Sequence, residues 1–182
     1  GVVGQTCGMT KSQQIYPTDL NDTQWALIAP LLPQRQTTRG RPRRWTERDI
    51  LDAILYIVRG GCGWRLMPHD LPKWQTAYGY YWQWRNTGLW EQINAILVQK
   101  VRVSQGRKPQ PSAGVIDSQS VKTAEGGEER GVDVHKQVSG RKRHIVVDTL
   151  GLLLLVLVHR ASMPDGNGGK LVLAKLFERI KH

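Results

Sequence analysis

Cysteine, phenylalanine and acidic side chains are scarce in this sequence. It has two cysteines and one phenylalanine. Cys7 and Cys62 stand far apart and share no CxxC or Cys/His ligand spacing. That excludes a disulfide framework and a cysteine zinc site, and leaves two free thiols suited to a reducing compartment, the cytoplasm. Long apolar runs are missing too. The run over 150–158 falls well short of the ~18 residues of a membrane span and reads as a fully buried strand. Residues 1–8 lack the charged start and long apolar centre of a secretory signal. They precede Met9 and read as translated upstream sequence or a cloning remnant. Acids number 15 against 26 lysines and arginines, a formal net charge of +11 at pH 7.

That excess favours a polyanionic partner, whose condensed counterions bound lysines and arginines displace. At 182 residues the chain has room for one domain or two small ones, each with a core. Its cations are clustered. Arg35, Arg39, Arg41, Arg43, Arg44 and Arg48 form one group, with Gly40 and Pro42 keeping the chain extended. Lys100, Arg102, Arg107 and Lys108 form a second, and Lys136, Arg141, Lys142 and Arg143 a third. A merely solvated basic surface is the plainer reading of such charge, and the clustering argues against it.

The first half carries helical periodicity. Asn21 or Asp22 can cap a helix bearing Trp25, Leu27, Ile28, Leu31 and Leu32, with Pro30 making its last turn irregular. Thr46 opens a stronger helix. Glu47 and Asp49 suit its N-terminal dipole, Ile50, Ala53, Ile54, Ile57 and Val58 form one stripe, and Gly60-Gly61 stop it. A third helix is expected over 74–86, and a fourth over 89–102 with Trp90, Ile93, Leu97 and Val101 inward. Short helices joined by glycine-containing turns behind an arginine-rich arm suggest a helix-turn-helix type of DNA binder. Trp74, Tyr78, Tyr81 and Trp84 repeat at helical spacing and read as core. Gln75, Tyr80 and Gln83, with Arg85, are left to reach base edges or phosphates. The arm with Arg39, Arg41, Arg43 and Arg44 would lie along a minor groove.

From residue 104 the period changes. The segment 104–112 is polar, basic and proline-interrupted, and is expected to link a helical domain, 15–103, to a second domain, 113–182. Residues 1–14 are expected to be a disordered leader. A strand over 113–116 ends at Asp117, and a hydrophilic loop follows over 125–131. A second strand, 142–147, turns through Asp148-Thr149-Leu150-Gly151 and returns as a third over 152–159. Asp165 falls in a glycine-rich loop, and a helix over 170–180 turns Leu171, Ala174, Leu176 and Phe177 inward. A buried strand ending in a carboxylate beside cations is how a divalent-metal site for phosphate chemistry begins. Lys122, Lys136, Arg141, Lys142 and Arg143 are the phosphate-facing candidates, or else a solvated edge.

Two strings carry a resemblance: Val115-Ile116-Asp117-Ser118-Gln119-Ser120-Val121-Lys122-Thr123 and Gly140-Arg141-Lys142-Arg143-His144-Ile145-Val146-Val147-Asp148-Thr149-Leu150-Gly151. Both resemble bacterial insertion-sequence transposases of the DDE type, most nearly the subfamily named after insertion sequence five. Tyr16-Pro17-Thr18-Asp19-Leu20, Gly40-Arg41-Pro42-Arg43, Gly63-Trp64-Arg65 and Trp74-Gln75-Thr76 resemble that subfamily's N-terminal region. The likeness spans about residues 15–182.

The resemblance implies a ribonuclease-H-like core in which Asp, Asp and Glu hold two Mg²⁺ (or Mn²⁺) ions. It implies cleavage at transposon ends followed by strand transfer, with double-stranded DNA as partner, a homodimer on paired ends and a nucleoid-associated location. By position, Asp117 corresponds to the first metal-binding Asp. The second Asp and the Glu have no counterpart, since Asp148 reads as a turn residue and Asp165 as a loop residue. The expectation is therefore an α+β chain, a helix-turn-helix-like domain followed by an incomplete ribonuclease-H-like core. An unfinished sheet would also leave a strand edge open to aggregation. Such a chain is either the N-terminal portion of a transposase, active only when completed, or a non-catalytic product that competes for end DNA. A basic protein that binds nucleic acid without preference is the third alternative.

Overall fold

Two reciprocal caps set the frame of the helical half in the computed structural model, which describes residues 16–33, 44–123 and 130–180. The leader and the arm residues Arg39, Arg41 and Arg43 lie outside the described residues, as does most of the loop expected at 125–131. Helix α1, Asp22–Ile28, starts at Asn21, whose side chain accepts from Gln24 N while the Gln24 side chain accepts from Asn21 N. It tightens into a 3₁₀ turn, Ala29–Leu31, at Pro30. Helix α2, Glu47–Gly60, starts at Thr46 with the same exchange to Asp49 and stops at Gly61, whose φ of 65° suits glycine. Its buried stripe is Ile50, Leu51, Ala53, Ile54 and Ile57; Val58, expected on that stripe, is exposed. Arg48 Nη1 reaches Asp22 Oδ1 at 2.6 Å and joins the two helices.

Helix α3, Trp74–Asn86, follows a 3₁₀ turn at Trp64–Leu66. Only Thr87 and Gly88 separate it from α4, Leu89–Ser104. The shortest connection therefore joins α3 to α4, whereas a longer link precedes α3. Trp84, Trp90, Tyr81, Trp64 and Tyr78 form a chain of ring contacts, the Trp84–Trp90 centroids 5.5 Å apart at 71°. Trp84 and Ala77 are buried, whereas Tyr78 is exposed.

The chain divides into two units between Ile93 and Asn94, within α4. In the second unit α4 buries Val98 and Arg102, not Val101, which is exposed. By sequence Arg102 belonged to a basic cluster pointing to a polyanionic partner. Here it is buried, its Nε donating to Lys108 O at 2.8 Å and its Nη1 pairing with Asp148.

Strands β1, Gly114–Lys122, β2, Gly131–Asp133, β3, Val138–Asp148, and β4, Leu153–Arg160, form one antiparallel sheet. β3 is central. β1 pairs along one edge of it, and β2 and β4 along the other. Helix α5, Asp165–Ile180, covers one face, packing Val172 and Leu176 on Val146, Leu155, Leu154 and Leu157. Gly168 lies so close to the His144 ring that any Cβ there would clash with it. Contact with the sheet thus runs along Gly168, Val172 and Leu176, one helical face. Leu171 and Phe177, expected inward, are exposed. Period-two alternation sends Lys142, His144 and Val146 toward α5, and Arg141, Arg143, Ile145 and Val147 to the other face. The coarse expectation of helices followed by a mixed helix-and-sheet unit holds. Among the described residues no helix is long and apolar enough to cross a membrane.

Two measurements test this packing. Asp148 is fully buried and accepts from Leu150 N, Leu152 N and Arg102. Burial pushes its carboxyl up, but those donors outweigh it and hold it below its ordinary value. Arg102→Ala leaves that charge unpaired and is expected to cost about 3–5 kcal/mol in urea unfolding; a loss within error of zero refutes the pairing. Asp52 on α2 accepts from Leu20 N at 2.9 Å, and burial pushes its carboxyl from 3.8 up to about 6. A raised carboxyl stabilises the fold below its unfolded value, and that contribution is lost as pH rises through its folded value. Relative to Asp52→Asn, the wild type should therefore lose melting temperature between pH 4 and pH 6; a parallel pair of profiles contradicts this.

Candidate metal and nucleic-acid site

Asp117 lies in the middle of β1, exposed, with Ile145 as its Cα partner on β3. The sequence expectation put it at the end of a strand. β1 instead continues to Lys122, because Ser118 and Ser120 alternate inward opposite His144 and Lys142 and keep the ladder going. Alternation places the Asp117 side chain on the face away from α5. Its Oδ1 accepts from the adjacent Ser118 N at 2.8 Å. Next along that face is Gln119, whose Oε1 accepts from Arg143 Nε at 2.8 Å and from Arg143 Nη2.

The unit's other buried or cation-paired carboxylates are committed elsewhere. Asp133, on β2, accepts from Ser120 Oγ at 2.6 Å and pairs with Lys142 Nζ at 3.0 Å. Its carboxyl is held well below the usual range, first by Ser120 and then by Lys142. Asp165, expected in a loop, is the first residue of α5 and takes Lys142 Nζ at 2.8 Å, which lowers its carboxyl as well. Burial alone would lower the Lys142 ammonium, but Asp165 and Asp133 reverse that and raise it. Asp148 belongs to Arg102, as described above. Among the described residues no group of three or more His, Cys, Asp or Glu is placed to hold a metal ion. Asp117 alone does not make up the donor set of a two-metal centre.

The expected phosphate-facing cations separate by face. Lys142 is buried, bonded to Asp133, Asp165 and Met163 O, and closed to any phosphate. Lys136 Nζ donates to Ser118 O at 3.2 Å. Lys122 ends β1 exposed, on the α5 side by alternation. Arg141, half-buried, and Arg143, exposed, share the face of Asp117. Sequence reasoning missed Arg160, exposed at the end of β4 and directly opposite Arg141. A charge closing an apolar run was visible, but its partner was not.

In the helical unit, Gln75, Gln83 and Arg85 are exposed on α3. Tyr80 is half-buried, edge-on to Trp84 at 5.6 Å. Arg44, the described end of the arm, lies 5.2 Å over the Trp45 ring. Trp82, which the sequence reading passed over, is 55% exposed and follows Gln75 at helical spacing.

Residues 20–94 match the family model described as a putative transposase of the IS4/5 family, and residues 108–182 match the model of the transposase DDE domain. The chain is 27% identical over 117 residues to the insertion element IS402 uncharacterized 16.2 kDa protein of Burkholderia cepacia, covering 62% of this chain and 78% of that one. It is 30% identical over 81 residues to the uncharacterized protein y4sN of Sinorhizobium fredii (strain NBRC 101917 / NGR234), covering 44% of this chain and 64% of that one. No solved structure matches. With both models met in order along the sequence and an insertion-element protein among its relatives, the chain belongs to the IS4/5 family of DDE transposases.

Proposed function

We propose that the chain binds transposon-end DNA through a helix-turn-helix-like domain at 15–103. A linker at 104–112 would lead to a ribonuclease-H-like domain over 113–182 that presents Asp117 as the first carboxylate of a phosphoryl-transfer site. Asp117 carries this reading. It is an exposed carboxylate in mid-strand on a sheet face it shares with Arg141 and Arg143, in a unit whose Asp133, Asp148 and Asp165 are tied to cations. Gln75 and Gln83 have the donor and acceptor pair that reads adenine in the major groove, and Arg85 suits a phosphate. Arg39, Arg41, Arg43 and Arg44 supply the arm along the minor groove. A homodimer on paired ends and a nucleoid-associated location go with the same reading.

Two bound Mg²⁺ or Mn²⁺ ions would supply charge neutralisation at the scissile phosphate. The described residues bring one carboxylate toward that set, so cutting requires further carboxylates on this face. The single carboxylate favours a second reading, in which the chain occupies transposon ends without cutting and competes with a complete transposase.

A nicking assay on end-sequence duplex in Mg²⁺ or Mn²⁺ tests both. The chain alone is expected to shift end DNA in preference to scrambled duplex and to leave it uncut. A longer version of the chain that supplies the further carboxylates is expected to nick end DNA, and Asp117→Ala in that version to abolish nicking. Nicking by the chain alone, abolished by Asp117→Ala, overturns the binding-only reading. Equal affinity for scrambled duplex overturns the transposon-end reading.

A further inference from the structure

On the face that bears Asp117, Arg141 of β3 stands directly opposite Arg160 of β4. Like charges at opposed positions of antiparallel strands repel. Arg143 lies one step nearer Asp117, its guanidinium drawn toward β1 by Gln119 Oε1. Arg130 joins from just before β2: its Nε donates to Ser139 Oγ at 3.3 Å, and Ser139 shares the face of Arg141 two residues along β3. The cross-strand neighbours of Arg141 and Arg143 are otherwise apolar, Val121 on β1 and Val158 on β4.

Among the described residues, none of these four guanidinium groups has a carboxylate at ion-pair distance. The contrast with the inner face is sharp. There a single cation, Lys142, holds two carboxylates. Four cations gathered with no carboxylate of the described residues at ion-pair distance, two of them directly opposed, are an arrangement that an external anion would relieve. Guanidinium forks match phosphate oxygens two at a time and shed water more readily than ammonium groups.

We propose that Arg130, Arg141, Arg143 and Arg160 form a clamp for the phosphodiester backbone of duplex DNA. Arg141 and Arg160 hold one phosphate between them, and Arg143 holds the strand on the side of Asp117. The identity of the anion as DNA rests on the preceding reading; the cluster itself rests on strand register. Lys142 and Lys136 have no part in the clamp.

The test uses the full chain, 5′-labelled end-sequence duplex, and fluorescence anisotropy across a salt series. Arg141→Gln and Arg160→Gln are each expected to lower the slope of log affinity against log salt by about one. Without DNA at low salt, Arg160→Gln is expected to raise the melting temperature by about 2 °C, because the opposed charge is gone. Lys175→Gln, exposed on α5, is expected to change neither readout. Unchanged slopes with intact end preference sink the clamp and leave end binding standing, whereas loss of end preference in the wild type sinks the earlier reading. A fall in melting temperature for Arg160→Gln without DNA shows that the guanidinium pairs with a carboxylate of its own chain, Glu125, Glu128 and Glu129 being candidates by sequence, and overturns the proposal. Tighter binding to an RNA duplex of the same length overturns the choice of DNA.

Discussion

The Lys142 ammonium group governs the second unit. It is buried and makes three contacts: Met163 O at 3.0 Å, Asp165 Oδ1 at 2.8 Å and Asp133 Oδ2 at 3.0 Å. Asp133 in turn accepts from Ser120 on β1. One cation thereby ties β2, β3 and the start of α5 together, with β1 held through the serine. A buried charge without partners is prohibitively costly, so a one-residue slip of β3, which would carry Lys142 to the opposite face, is disfavoured far beyond the loss of a few hydrogen bonds.

That anchoring also decides what the other face becomes. If Lys142 points in, Arg141 and Arg143 must point out, and the pairing of β1 with β3 puts Asp117 and Gln119 beside them. A polar, cationic surface with one carboxylate is thus the geometric complement of an inner face built from Lys142, His144 and Val146. The acids divide the same way. Asp133, Asp148 and Asp165 have hydrogen-bond donors and cation partners that together hold them ionised, whereas Asp117 accepts from the backbone N–H of Ser118 and pairs with no cation among the described residues. Carboxylates committed to internal cations make poor metal ligands, because coordination would strip those cations of their partners.

The helical unit follows a different logic. Its frame comes from local hydrogen bonds, the capping exchanges at Asn21 and Thr46, and from aromatic rings at the α3–α4 turn. A ring chain of Trp84, Trp90, Tyr81 and Trp64 fixes that turn and leaves Gln75, Trp82 and Gln83 on the outside of α3.

Local rules in the sequence determined a good deal. Caps, stop signals and periodicity were enough for α2 and α3, and the unusual strings around Asp117 and Gly140 were enough for the family. Elements whose limits depend on partners were not legible. β1 runs beyond Asp117 because β3 continues alongside it, and β2 is a three-residue strand that pairs with the start of β3 across the turn at 134–137. The phase of α5 follows Val172 and Gly168 against the sheet, not Leu171 and Phe177. Arg102 read as one of a cluster of cations facing a polyanion until Asp148, far away in sequence, proved to be its partner. Which cations face outward could not come from composition either: Arg141, Lys142 and Arg143 are consecutive, and only cross-strand pairing assigns each a side. Spacing along the chain carries the period of an element, and the tertiary structure alone supplies its phase, because phase is set by what lies across the sheet.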